Sequence, residues 1–207
     1  MLEYFTSAAV TLLVVIDPLG LAPMFLAVTQ GFTPSERRWV AWRSSLIALA
    51  ILAVFGAIGH LLLQALGISL PAFRIGGGLL LFYISFEMVF ASRAERSADN
   101  SETREQQLHY ISVFPLAIPL MAGPGAITAI ILLSGEARGD PVMLAGLSAI
   151  AVVVVGSCLA VYLAAERMNS LLGVTGNAIL SRLLGVILAA LAVQFVIDGI
   201  RASFFPA

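Results

Sequence analysis

Apolar residues in this chain come in long unbroken blocks, not at a strand period of two or along one helical stripe. Six blocks approach or exceed the roughly 20 residues a membrane-spanning helix needs. They cover about 5–28, 40–66, 72–91, 111–133, 142–165 and 179–200. Short polar stretches punctuate them. Thr33-Pro34-Ser35-Glu36 reads as a helix start, with Thr33 as N-cap, Pro34 in the first position and Glu36 closing a capping box. Gly67-Ile68-Ser69-Leu70-Pro71 reads as a tight link. Residues 93–109 are the one sustained polar run, mixed in charge, and read as a solvated, mobile linker. A short loop carries Glu136, Arg138 and Asp140.

Two blocks are interrupted. The first holds Asp17-Pro18-Leu19-Gly20 and then Pro23 near its centre. Proline removes a backbone donor and disfavours helix in the residue before it, which is Asp17 itself. A charged side chain at mid-membrane costs about 2.5–3.5 kcal/mol on insertion scales. Broken backbone at that depth is tolerated only where protein buries it or it lines a cavity. The fourth block is broken by Pro115, Pro119 and then Gly123-Pro124-Gly125. The expected fold is all-α: a polytopic membrane protein of six transmembrane helices, helices 1 and 4 interrupted.

Composition agrees with that class. The 207 residues are 60% hydrophobic and 11% charged, with mean hydropathy +1.01, against about 25% charged in soluble domains. A net charge of −1 argues against a nucleic-acid partner. One cysteine and two distant histidines give no metal or haem pattern, so no cofactor is expected. All 11 basic residues are arginine, which removes any lysine nucleophile or Schiff base. The start, Met1-Leu2-Glu3-Tyr4-Phe5, has an acid where a signal peptide has positive charge, so the first span is expected to be retained.

The blocks fall into two similar halves, about 1–92 and 110–207, within a single transmembrane domain. Pro18 and Pro124 stand 106 residues apart, as do Gly67 and Gly173. Arg74 and Arg182, like Gly77 and Gly185, are 108 apart. Three spans per half is an odd number, so the second half enters the membrane the other way up. That is an inverted repeat, an architecture of secondary transporters whose sites form at mid-membrane where broken helices meet. Arginine placement sets the orientation: eight on the loop side opposite the termini, three on the terminal side. Both termini are therefore expected outside the cytoplasm.

The breaks suggest a chemistry. A helix beginning inside the membrane exposes unpaired N–H groups and about half a positive charge, which suits a carboxylate or another small anion. Leu19 to Pro23 and Gly125 to Thr128 are two such starts, and the Thr128 hydroxyl adds a donor. Asp17 suits an ammonium group, Na⁺ or a proton. Together they match a zwitterion, and Gly123, Gly125 and Ala126 favour a small one. The candidate substrate-binding residues are Asp17, Pro18, Leu19, Gly20, Pro23, Gly123, Pro124, Gly125, Ala126 and Thr128. His60 with Gln64 reads as an interfacial polar pair, Glu87 as an interface-seeking acid, and Asp198 with Arg201 as a structural ion pair.

Asp17-Pro18-Leu19-Gly20 with Pro23, the polar mid-loop, and Phe114-Pro115-Leu116-Ala117-Ile118-Pro119-Leu120-Met121-Ala122-Gly123-Pro124-Gly125-Ala126-Ile127-Thr128 resemble the MarC family of bacterial inner-membrane proteins over essentially the whole chain. That resemblance implies transport of small neutral amino acids such as glycine and alanine, linked to an H⁺ or Na⁺ gradient, across the bacterial inner membrane. It leaves oligomeric state open. Other readings compete. Another small metabolite would fit the same site. An intramembrane aspartyl enzyme would need Asp198 or Glu87 to face Asp17, and a serine hydrolase would need a lysine or histidine partner; a non-enzyme is expected. A channel would want a polar stripe along several helices, and a scaffold has no use for an acid at mid-span.

Overall fold

The computed structural model describes residues 1–90, 103–137 and 140–204, without the side chains of 87–88, 166–178, 180–181 and 184. Among the described residues every regular element is a helix: α1 (Leu2–Ile16), α2 (Pro18–Val28), α3 (Pro34–Ala65), α4 (Leu70–Phe90), α5 (Arg104–Ile111), α6 (Pro124–Glu136) and α7 (Pro141–Phe204). An irregular, wide-turned stretch, Ser112–Met121, joins α5 towards α6.

Local chemistry sets the boundaries. Thr33 and Glu36 form the expected capping box, with Pro34 in the first helical position of α3. At the far end Gly67 adopts φ 66°, and the amides of Gly67 and Ile68 donate to the Gln64 and Leu63 carbonyls, satisfying two otherwise unpaired acceptors. Ser69 then opens α4, its hydroxyl accepting from the Ala72 amide. The Asp140 carboxylate accepts from the Val142 amide at 2.8 Å and starts α7.

Four stretches are long and apolar enough to cross a membrane: Leu2–Val28, Pro34–Ala65, Pro141–Ala165 and Gly185–Phe204. The run from Arg104 to Glu136, bent by 57° at its break, makes a fifth as a broken span or a re-entrant loop. The apolar part of α4, Leu70–Phe86, is shorter. The coarse expectation of an all-helical membrane protein therefore holds, with four or five spans among the described residues. Although α7 is helical along its whole assigned length, it is not one straight rod. Tyr162 stacks on Phe25 while Leu188 packs with neighbouring Met24, yet residues 162 and 188 of a straight helix would stand about 40 Å apart.

Part of the polar run departs from expectation. Residues 91–102 lie outside the described ones, but residues 104–109, read as linker, belong to the helix Arg104–Ile111. The cause is a second capping box, Thr103 with Gln106, reinforced by a long-range anchor. Arg104 makes a two-pronged contact with Glu36, both oxygens at 2.8 Å, and donates to the Gly31 carbonyl. Its guanidinium also lies 4.5 Å above the Phe32 ring.

The core runs through α1, α2, α3, the 116–133 region and the first half of α7. Lipid tails are as apolar as leucine, so helices in a membrane gain by close backbone approach at small residues. Glycines serve that purpose at several crossings. A Cβ on Gly59 would lie 2.7 Å from Ile131 Cγ1, and one on Gly78 would lie 2.8 Å from the Ala192 carbonyl. A Cβ on Gly77 would overlap the Pro124 ring. Of the three consecutive glycines in α4, Gly77 and Gly78 thus carry close packing, whereas Gly76 faces open space.

Candidate substrate site at two helix breaks

Asp17 is the whole of the first break. It sits in the left-handed region, φ 46° and ψ 72°, ending α1 through its amide to the Leu13 carbonyl and beginning α2. That conformation costs an L-residue about 1–2 kcal/mol, least for Asp and Asn, whose short side chains bond locally. Asp17 does so: its Oδ1 accepts from the Gly20 amide at 3.2 Å. The Leu21 amide takes the Asp17 carbonyl. A side chain at Gly20 would push the Asp17 carboxylate off its cap, because a Cβ there would overlap it. Asp17, Leu19 and Gly20 are exposed on the protein surface, Pro18 is buried and Pro23 half-buried.

The second break is longer and deeper. Phe114 and Ile118, each preceding a proline, leave helical geometry at φ −129° and −122°, as the crowding before Pro115 and Pro119 dictates. Gly123 is extended and caps α6, with Pro124 first in the helix. No side chain caps this end. The Ile127 amide reaches the Gly123 carbonyl, and the amides of Gly125 and Ala126 have no acceptor among the described residues. Gly123, Pro124, Ala126 and Thr128 are buried, with Gly125 half-buried. The Thr128 hydroxyl donates back to the Pro124 carbonyl at 2.6 Å, so its proton is committed and its lone pairs remain.

The second break packs against the helix that ends at the first. A Cβ on Gly125 would lie 3.0 Å from Val15 Cγ1 and 3.1 Å from Phe195 Cζ. Val15 stands two residues before Asp17, so the α6 N-terminus packs beside the first break, with Phe195 of the last span closing the approach. The α6 N-terminus, with its two bare amides, thus lies against the end of α1 that leads into Asp17.

The remaining candidates lie elsewhere. His60 and Gln64 are exposed. The Glu87 side chain lies outside the described residues. Asp198 accepts from the Gln194 amide group at 2.8 Å; the expected Asp198–Arg201 ion pair is not formed, because the one-turn Gln194 neighbour holds the carboxylate instead. Three buried polar atoms escaped the sequence reading: Tyr162 Oη, Ser45 Oγ and Arg43 Nε, none with a hydrogen-bond partner among the described residues. The available signal was a tyrosine in an otherwise aliphatic run and a serine pair after an arginine in a span. Among the described residues no group of three or more acidic, histidine or cysteine side chains gathers as a metal site.

A bundle of long apolar helices, two of its spans opened before a proline, defines an integral membrane protein of the polytopic α-helical class. Comparison places it more closely. The profile of the MarC family integral membrane proteins matches residues 2–204, and the chain belongs to that family. It is 37% identical over 206 residues to a UPF0056 membrane protein of Methanocaldococcus jannaschii, covering 98% of each chain. It is 32% identical to the UPF0056 membrane protein YvbG of Bacillus subtilis, over 99% of this chain and 97% of that one. It is 35% identical to the UPF0056 inner membrane protein YhgN of Escherichia coli, over 94% and 95%. No solved structure matches the chain.

Proposed function

We propose that this protein is a secondary transporter of small neutral amino acids of the glycine and alanine kind. It works by alternating access between two inverted three-helix repeats, and an H⁺ or Na⁺ gradient drives it. One observation carries the reading: α2 and α6 both open on a proline after a break, 106 residues apart, and the α6 opening packs at Gly125 against Val15, in the last turn of α1 before the first break. Each half then continues alike, with a capped helix opening on a proline, Pro34 after Thr33 and Pro141 after Asp140. A pair of Gly/Pro-interrupted segments at corresponding positions is the signature of a mid-membrane transport site.

In this reading the free amides of Gly125 and Ala126, with the positive end of α6, receive the substrate carboxylate. Asp17 keeps one oxygen for its cap and offers the other to the ammonium group or the coupling ion. The crowding around Gly125 limits the substrate to a small side chain. Val15 and Phe195 fill the approach in this state and withdraw when the halves rock apart. Both termini face away from the cytoplasm, following the arginine bias.

The test is uptake of labelled glycine or alanine into liposomes holding the purified protein, under an imposed H⁺ or Na⁺ gradient. Gradient-dependent uptake that Asp17→Asn abolishes is the expected result. Absence of uptake and of counterflow from preloaded liposomes, with either ion, would remove amino acids from the reading. Undiminished transport by Asp17→Asn would remove Asp17 from the mechanism.

A further inference from the structure

Where the end of α7 crosses the start of α4, the helices nearly touch. A Cβ on Gly199 would lie 2.5 Å from Ile75 Cγ1 and 2.9 Å from the Pro71 carbonyl oxygen. This contact brings Arg74 on α4 beside Asp198 and Arg201 on α7. With Ala202 they line a cavity of about 650 Å³. Arg201 lies in the last turn of α7 and Arg74 near the start of α4, the depth at which a span leaves hydrocarbon for the headgroup layer. Ile200 and Phe204 are exposed beside it, at 45% and 74%, as a lipid-facing rim requires.

The charges do not balance within the protein. The one carboxylate of the lining has an oxygen on Gln194 Nε2. Among the described residues neither guanidinium has a carboxylate within ion-pairing distance. Two arginines from different helices facing one cavity repel each other unless an anion lies between them. The planar guanidinium fork matches the oxygens of a phosphate two at a time. We propose that this cavity binds a phosphate-class oxyanion, held between Arg74 and Arg201, and that at this depth its source is the headgroup of an anionic phospholipid. Asp198, turned towards Gln194, tunes the site by opposing a second negative charge.

The test uses the full chain in detergent, titrated separately with phosphatidylglycerol, phosphatidylcholine and inorganic phosphate. Lipid retention is followed by native mass spectrometry, and stability by thermal unfolding. Phosphatidylglycerol should bind more tightly than phosphatidylcholine. The pair Arg74→Gln and Arg201→Gln should weaken phosphatidylglycerol about thirtyfold, about fivefold per guanidinium, leaving phosphatidylcholine unchanged. Asp198→Asn should tighten it. The double arginine-to-lysine variant should retain part of the preference, and together with Arg201→Gln alone it serves if the glutamine pair does not fold. Stabilisation by inorganic phosphate alone, lost in the same variants, would support the oxyanion site and place its source in solution. Unchanged phosphatidylglycerol preference in folded variants, with no phosphate effect, would leave the arginines as mere interface anchors and overturn the proposal. Glycine uptake is not the readout, so failure here leaves the transport reading standing.

Discussion

Asp17 and Gly123 hold equivalent places before Pro18 and Pro124, yet they solve the same problem in opposite ways. Asp17 breaks the helix in one residue, takes a left-handed conformation and caps the next helix with its own carboxylate. Gly123 follows a ten-residue irregular stretch, stays extended and brings no side chain at all. The first break is exposed on the protein surface and the second is buried. A charged cap would be expensive at the buried second break, where the partner of any charge must come from protein. The outcome is a division of labour. The negative group sits at the break that satisfies its own helix, and the unsatisfied amides sit at the break without a cap.

Substitutions can test that contrast, beginning with the largest effect. A Cβ on Gly123 would overlap the Pro119 carbonyl, which is backbone and cannot swing aside. Gly123→Ala should therefore destabilise by about 3 kcal/mol or more, or yield no folded protein, read as the unfolding temperature in detergent. Gly77→Val should follow, at about 2 kcal/mol, because it drives α4 against the Pro124 ring and so disturbs the second break alone. At the first break the expected effects are smaller. Asp17→Ala loses both the cap and the residue type that tolerates left-handed backbone, about 1–2 kcal/mol. Asp17→Asn keeps both, and should unfold within about 0.5 kcal/mol of the parent while transport falls. Equal instability of the two Asp17 variants would show that charge, not capping, holds the first break. Gly125→Ala should also change stability little, under about 1 kcal/mol, since only the ends of Val15 and Phe195 need to shift. Its effect should appear in transport instead, with alanine uptake falling more than glycine uptake.

Features governed by neighbours in sequence were legible in advance. The Thr33 capping box, the break before Pro18 and the break before Pro124 rest on interactions within four residues, and each appears where the residues dictate. The Thr103–Gln106 box is equally local, but the charged residues around it have the composition of a linker. Extended backbone at Phe114 and Ile118 follows from the prolines after them. What the sequence could not show is which partner each small residue meets. Nothing near Gly77 points to Pro124, and nothing near Gly199 points to Pro71. Nor could it show that the Thr128 hydroxyl would turn back on Pro124, because a serine or threonine in a helix chooses between its own turn and the space beyond.

The Arg37 side chain is buried, only 6% exposed, and folds back across the turn between α2 and α3 so that Nε and Nη2 both donate to the Thr29 carbonyl, at 3.3 and 3.2 Å. That buckle joins the tail of one helix to the head of the next. The short half-helix that begins at Asp17 is therefore fastened at its far end to the first turn of α3.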